Sequence, residues 1–180
     1  MEVIRGFDGQ PAHELDLAAA GDEAAFTRIV ALHQPAMVRV AYLIAGDLDL
    51  ADEAVARAWP LAWRNLRSVR DADRLASWLV TIAANEARRL SRDRRRRALR
   101  EVPVEEAQDV AATERRGPVD LDLRTALLRL SPDDRTLLAL RYVAGFDATE
   151  IGRATGRSPS GTRVRLSRLL ERMRKELGDD

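Results

Sequence analysis

The chain has no cysteine and only two histidines in 180 residues, and aromatic side chains make up 4% of it. The absence of cysteine excludes disulfides, thiolate metal sites and a thiol switch within this sequence. Because His13 and His33 stand alone, we expect no histidine-based metal site, and no cofactor is predicted. No apolar run reaches membrane-spanning length, and no signal-peptide pattern precedes residue 30. These absences predict a soluble, cytoplasmic protein with no membrane insertion.

Lysine is nearly absent as well, since Lys175 is the only lysine among 30 basic residues. The rigid fork of arginine suits phosphate and bases, but codon usage in a GC-rich genome can produce the same bias. Clustering is therefore more informative than number. Residues 87–100 hold eight arginines and one acid, whereas residues 101–123 hold seven acids and two arginines. This alternation indicates two basic binding surfaces joined by an acidic tether.

All periodic segments have the helical period, and no segment has a convincing strand pattern. The fold class predicted is all-α, with two small helical domains joined by a flexible acidic linker. Residues 101–118 form that linker, because they lack the apolar surface that would offset the cost of ordering. The other predicted units are an N-terminal extension at 1–21, a first domain at 22–100, and a four-helix unit with a helix-turn-helix at 119–177.

The first domain shows three helical runs. The run from Phe26 to Ile44 contains Pro35, which predicts a kink or the start of a second helix. The next helix spans about residues 50–66, and Pro60 predicts a kink or an early end. A loop at 67–74 precedes a long helix from about residue 76 through the arginine cluster. Predicted inward-facing residues are Ala54, Val55, Ala58, Trp59 and Trp63, then Trp78, Leu79, Ile82, Ala83 and Leu90.

Residues 147–175 carry the signals of two helices separated by a tight turn. Asp147 and Glu150 predict a capping box, Gly156 predicts a left-handed helix end, and Ser158 with Pro159 predicts the next start. The second helix has an apolar stripe, with basic residues on its other faces. The predicted stripe comprises Val164, Leu166, Leu169, Leu170, Met173 and Leu177.

A short helix, a short turn and a longer basic helix form the arrangement that places a recognition helix in a DNA major groove. An ordinary helical hairpin with a solvated charged face is the alternative. The cluster from Arg88 to Arg100 is open to a similar choice, since it can follow a nucleic-acid backbone or form a solvated helix end. For Trp78 both core packing and stacking on a base stay open.

Enzymatic chemistry has little support in the sequence. There is no cysteine nucleophile, no glycine-rich phosphate loop after a strand, and no cluster with metal-ligand spacing. The acid pairs Asp52–Glu53 and Asp133–Asp134 are adjacent, so they diverge on a helix and are better explained as solvated or capping charges. We predict no catalytic residue and no enzyme.

Two long segments resemble a known family. LADEAVARAWPLAWRNL and LASWLVTIAANEARRLSRDRRRR resemble the promoter-opening domain of bacterial RNA polymerase sigma factors. LRLSPDDRTLLALRYVAGFDATEIGRATGRSPSGTRVRLSRLLERMRK is similar to their upstream-element-reading domain. Two such domains with only a linker between them match the extracytoplasmic-function group. The resemblance covers residues 22–177, and SPSGTRVRLSR is its most specific part.

The resemblance implies roles for three sets of residues. Core-polymerase docking falls on the helix that carries Asp52, Glu53, Ala56, Arg57 and Trp59, which contacts the clamp of the large subunit. The loop at 67–77 would capture a flipped base of the minus-ten element. The melted strand would be held by Trp78, Asn85, Arg88, Arg89 and Arg92. The minus-thirty-five duplex would be contacted by Arg157, Ser158, Ser160, Thr162, Arg163, Arg165 and Arg168.

The chain departs from the family pattern at a few of these positions. Ala56 and Arg57 stand where the family usually has a glutamine and an acid, Pro60 is unexpected in the docking helix, and Leu75 replaces a phenylalanine.

The resemblance implies a transcription initiation factor with three partners: core RNA polymerase, promoter DNA and an anti-sigma factor. A stand-alone helix-turn-helix regulator is the alternative, and it should bind a palindromic duplex as a dimer without polymerase. A decoy that docks on polymerase without reading DNA is a third interpretation.

Overall fold

The computed structural model describes residues 11–98, residue 100 and residues 118–178, and the regular structure in these ranges is helical. This agrees with the all-α prediction, while the predicted linker lies almost wholly outside the described residues. Two short 3₁₀ turns, Leu66–Ser68 and Ala72–Arg74, separate α3 from α4. The helices described are α1 Pro11–Ala20, α2 Glu23–Ala45, α3 Leu48–Asn65, α4 Leu75–Ala98, α5 Pro118–Arg129, α6 Pro132–Tyr142, α7 Ala148–Thr155 and α8 Pro159–Leu177.

Helices α2, α3 and α4 pack against one another and form the core of the first unit. Both internal prolines were expected to disturb their helices, but α2 continues through Pro35 and α3 continues through Pro60. The predictions of a new helix at Pro35 and of an early end at Pro60 were therefore wrong, while the alternative of a kink at each proline stays a prediction. Both prolines lie on exposed faces, where water can bond the carbonyl that each one leaves free.

Helix α1 lies within the predicted N-terminal extension, where no helix was predicted. Its Leu15 and Ala18 are buried against the first unit. Glu14 pairs with Arg28 of α2, and the Arg67 Nε donates a hydrogen bond to the Ala19 carbonyl at 2.9 Å. Because Arg67 lies just after α3, α1 helps to position the segment between α3 and α4.

The buried face of α3 is made mostly of small side chains, namely Ala51, Ala54, Val55, Ala58 and Ala62. Small residues let α3 approach its neighbours closely. Trp59 is half-buried, and Trp63 retains 36% exposure, so the prediction of a buried Trp63 was wrong. Both rings instead make edge contacts with Phe26 at the margin of the core, with centroid separations of 5.7 Å and 4.6 Å.

Helices α5 to α8 form the predicted four-helix unit. Ser131 caps α6 by accepting a hydrogen bond from the Asp134 amide, and Pro132 occupies the start of that helix. Leu166, Leu169 and Met173 of α8 are buried as expected. Helix α6 also packs against α2 and α4, so the two units are in contact.

Candidate nucleic-acid interface

The first helix of the helix-turn-helix has the capping predicted for it. The Asp147 carboxylate accepts hydrogen bonds from the amides of Thr149 and Glu150 at 2.7 Å and 2.8 Å. The Glu150 carboxylate in return accepts a hydrogen bond from the Asp147 amide at 2.8 Å. These hydrogen bonds, led by the one from the Glu150 amide, lower the pKa of Asp147. Gly156 then ends α7 with a φ of 71°.

The turn between α7 and α8 depends on a close approach at Gly152. The Arg157 amide donates to the Gly152 carbonyl at 2.8 Å. A Cβ on Gly152 would lie 2.6 Å from the Arg157 carbonyl oxygen, a backbone atom that cannot move alone. Only glycine fits this position without a shift of the turn, so Gly152 helps to fix the angle at which α8 leaves α7.

The start of α8 is capped by Ser158, whose hydroxyl accepts the Gly161 amide at 3.1 Å. Thr162 was predicted to contact duplex DNA, but its side chain is fully buried. Its hydroxyl donates to the Ser158 carbonyl at 3.0 Å. The prediction for Thr162 is corrected for this reason: the residue holds the first turn of α8 from inside and does not reach the surface.

An open groove of about 710 Å³ runs along the exposed side of α8. Five of the predicted duplex-binding residues line it, whereas Arg163 does not. The sequence did not predict Val164 and Arg172 as members of this surface. Val164 was predicted to face inward, yet it is 52% exposed. The groove is lined by Asp134, Arg157, Ser158, Ser160, Gly161, Val164, Arg165, Arg168, Leu169 and Arg172.

The chemistry of this α8 groove suits the edge of a base pair. Arginine forks can donate to guanine, serine hydroxyls can bond several bases, and an exposed valine can contact a thymine methyl. Arg165 is held in place by Asp134, whose carboxylate oxygen lies 2.7 Å from both the Nε and Nη2 of Arg165. This hydrogen bond raises the pKa of Arg165, which stays charged.

A second polar surface lies along α4. The residues predicted to contact the melted strand begin at Trp78, and the others lie 7, 10, 11 and 14 positions after it. At this spacing they share one side of the helix. Trp78 and Asn85 are half-buried, and Arg89 is exposed and pairs with Glu86 at 2.7 Å. Arg88 and Arg92 both contact Asp133 of α6. Burial lowers the pKa of Arg88. The charge of Asp133 opposes this shift, and the charges of Arg92 and Arg157 add to it.

Trp78 also lines a cleft of about 550 Å³ between the segment before α4 and helix α7. One wall of this cleft belongs to the first unit and comes from the predicted base-capture loop and its neighbours. The opposite wall belongs to the second unit and was not predicted, because no local pattern reports which element of another unit lies opposite. The lining residues are Ser68, Val69, Arg70, Asp71, Arg74, Ser77, Trp78, Thr81, Phe146, Glu150, Arg153 and Ala154.

The sequence matches the family descriptions "Sigma-70 region 2" over residues 29–97 and "Sigma-70, region 4" over residues 120–173. CarQ, an RNA polymerase sigma factor of Myxococcus xanthus, is 31% identical over 165 residues, which cover 88% of this chain and 92% of CarQ. The chain belongs to the RNA polymerase sigma factors. The extracytoplasmic-function (ECF) sigma factor SigM of Mycobacterium tuberculosis is 28% identical over 96% of this chain and 89% of its own.

The "Probable RNA polymerase sigma factor RfaY" of Xanthomonas campestris is 31% identical over 94% of this chain, but the chain spans only 44% of its length. Two solved structures have the same fold. The sigma factor RpoE from Bartonella quintana, in complex with the anti-sigma factor NepR, has a TM-score of 0.66 and 27% identity over 86% of this chain and 98% of its own. CnrH, in complex with the cytosolic domain of CnrY, has a TM-score of 0.66 and 23% identity over 95% of this chain and 99% of its own.

The family identifies this sigma factor as an ECF-type initiation factor that directs RNA polymerase to promoters. Region 2 coincides with the α2–α4 unit, and region 4 coincides with the α5–α8 unit. A stand-alone regulator would need only the second of these, so the match of both regions decides against that alternative. Sigma factors are not enzymes.

The predicted docking face of the sigma factor lies on α3. Asp52, Glu53, Ala56 and Arg57 are exposed on it, and Glu53 pairs with Arg57. Trp59 is half-buried beneath this face, so it supports the surface more than it extends it. Its indole Nε1 is buried and has no hydrogen-bond partner among the residues that the structure describes.

Among the residues that the structure describes, no group of three or more acidic or histidine side chains could hold a metal ion. No helix within these ranges is both long enough and apolar enough to cross a membrane.

Proposed function

We propose that this sigma factor reads the duplex upstream element of its promoters through the α8 groove. The observation that carries the proposal is the alignment of Arg157, Arg165, Arg168 and Arg172 along one open side of a capped helix-turn-helix. The buried Thr162 and the close contact at Gly152 support it, because they hold the start of α8 rigid. A rigid helix N-terminus places forked donors at fixed distances from the base edges.

The face of α4 with Trp78, Asn85, Arg88, Arg89 and Arg92 would hold the melted strand, and the cleft beside Trp78 would receive an unstacked base. An aromatic ring supplies stacking for any base, while arginines neutralise the backbone and release counterions. The polar lining from residues 68–77 offers hydrogen bonds to the edge of that base.

The exposed face of α3 would dock on the clamp of the large polymerase subunit, with Asp52, Glu53, Ala56 and Arg57 in contact. An anti-sigma factor is a further expected partner, since the similar structures of RpoE and CnrH are complexes with NepR and CnrY. We place the protein in the cytoplasm, where polymerase acts, and assign it no catalytic residue of its own.

Run-off transcription with purified core polymerase on a promoter library tests these roles. Wild-type protein should select a restricted set of templates, and Arg168→Ala or Arg172→Ala should reduce that output by about tenfold, as expected for a loss of roughly 1–3 kcal/mol at a base contact. Arg129→Ala is the matched control, because Arg129 is an exposed arginine of α5 outside the groove. Equal losses for the groove variants and the control would refute the assignment of α8.

A further inference from the structure

A proline interrupts the hydrogen bonding of α3 on the exposed face of that helix. Pro60 lies inside α3 and has no N–H, so it cannot donate to the Ala56 carbonyl four residues before it. The ring of a helical proline also clashes with that carbonyl and pushes it outwards. Ala56 and Pro60 are both exposed, and the side chain of Ala56 is only a methyl group. The middle of α3 therefore presents an accessible main-chain acceptor.

The neighbouring arginine of α3 does not satisfy this acceptor. Helical carbonyls point towards the C-terminal end of the helix, whereas side chains lean towards its N-terminal end. Arg57 accordingly pairs with Glu53, one turn earlier. In the unbound protein water can bond the Ala56 oxygen, and a partner that supplies a donor can replace this water. A partner that covers the oxygen without a donor loses affinity, so a matching partner must carry one.

The charge around Ala56 favours a cationic donor. The first half of α3 exposes three acids, Asp49, Asp52 and Glu53, against one base, Arg57. Such a surface attracts a positively charged partner. Hydrogen bonds from an ionised donor are roughly twice as strong as those between neutral groups. An arginine or lysine that approaches these acids finds the Ala56 oxygen one turn beyond Asp52.

We propose that the Ala56 carbonyl is a docking contact for core polymerase, and that it accepts a hydrogen bond from an arginine or lysine side chain of the polymerase clamp. Pro60 is the positioning residue that keeps this carbonyl out of the helical ladder. The inference rests on the proposed docking of α3 on the polymerase. It gives a binding role to a residue that weakens the helix in which it lies.

Pro35 of α2 provides a comparison within the same unit. It is also an exposed proline inside a long helix, and the residue four positions before it, Ala31, is again an exposed alanine. The charge of the surroundings differs, because the one acid of α2 is Glu23, about two turns before Ala31. The Ala31 carbonyl lies outside the docking face, so Pro35 serves as the matched control for Pro60.

The test compares thermal stability and polymerase affinity in full-length variants. Pro60→Ala restores the N–H and should raise the Tm, because proline is the least favourable residue in a helix interior. Its affinity for purified core polymerase, titrated by fluorescence anisotropy, should nevertheless fall about tenfold, as expected for the loss of one hydrogen bond to a charged donor. Pro35→Ala should also raise the Tm and should bind core polymerase as the wild type does. Equal affinities of Pro60→Ala and Pro35→Ala would overturn the proposal.

Two more variants separate the carbonyl from other features of the docking face. Pro60→Val restores the N–H but keeps an apolar side chain of similar size, so it should bind as weakly as Pro60→Ala, and it replaces that variant if Pro60→Ala does not fold. Wild-type affinity of Pro60→Val would overturn the proposal, because the apolar contact would then account for binding. Asp52→Arg tests the docking face itself. If neither Asp52→Arg nor Pro60→Ala weakens binding, docking by α3 is refuted. If only Asp52→Arg weakens it, the docking face is supported and the carbonyl contact is refuted.

Discussion

Replacing Gly152 with alanine would have two opposing effects on the stability of the helix-turn-helix. Helix propensity alone favours alanine over glycine by about 1 kcal/mol. The structure opposes this gain, because the new Cβ would lie 2.6 Å from the Arg157 carbonyl oxygen, where an ordinary contact needs at least 3.4 Å. Backbone shifts forced by an extra methyl group typically cost about 1–3 kcal/mol. We therefore expect Gly152→Ala to lower the free energy of unfolding by up to about 2 kcal/mol.

Denaturant unfolding followed by circular dichroism measures this loss, and run-off transcription measures its consequence for promoter reading. For a chain of this size, a loss of 1 kcal/mol corresponds to a fall in Tm of about 2–4 °C. Gly156→Ala provides the contrast, because no atom of the described residues lies within 4 Å of the new Cβ. The stability that Gly156→Ala loses, about 1–2 kcal/mol, comes instead from a φ of 71°. Promoter preference should change for Gly152→Ala more than for Gly156→Ala. A Gly152→Ala protein more stable than the wild type, as helix propensity alone would give, would refute the reasoning.

Three further expectations follow from the site. Arg172→Ala should weaken promoter binding by the holoenzyme and reduce the slope of log affinity against log salt by about one, whereas Arg163→Ala should have a smaller effect on both. Filter binding in a salt series measures both quantities. A larger effect for Arg163→Ala would contradict the assignment of duplex contacts to the α8 groove. Thr162→Val should cost about 1 kcal/mol in a thermal melt, through the lost bond to the Ser158 carbonyl, without changing promoter preference. The lowered pKa of Asp147 adds stability that is present above its unfolded pKa near 3.8 and is lost as pH falls through the folded value. Asp147→Asn keeps the cap without the titration, so unfolding curves of that variant should depend less on pH in this acid range.

The features that could be predicted from the sequence are those that depend only on residues close together in the chain. A capping box needs only Asp147 and Glu150, and a left-handed helix end needs only Gly156, so both appear in the structure as expected. The same holds for Ser158 with Pro159 at the start of α8. These signals are local hydrogen bonds or local backbone preferences, and tertiary structure had little opportunity to override them.

The rotation of α8 could not be predicted to the same precision. A stripe of apolar residues at helical spacing includes Val164, yet the buried face turns far enough that Thr162 is inside and Val164 is half-exposed. One residue step corresponds to about 100° around a helix, so a small error in the assumed axis exchanges a core residue for a surface residue. For the same reason, the sequence pattern did not place Arg172 in the α8 groove. Arg172 lies eleven residues, about three turns, after Gly161 on that side of the helix.

The first turn of α6 illustrates why contacts between units are beyond a sequence pattern. Asp133, Asp134 and Arg135 are consecutive, so on the helix they point in directions about 100° apart. Asp133 reaches α4, Asp134 reaches Arg165 on α8, and Arg135 reaches the end of α2. From the sequence, the two acids are explained fully by capping and the helix dipole. One short turn therefore contacts three helices, two of them in the other unit, and no local sequence pattern reports these contacts.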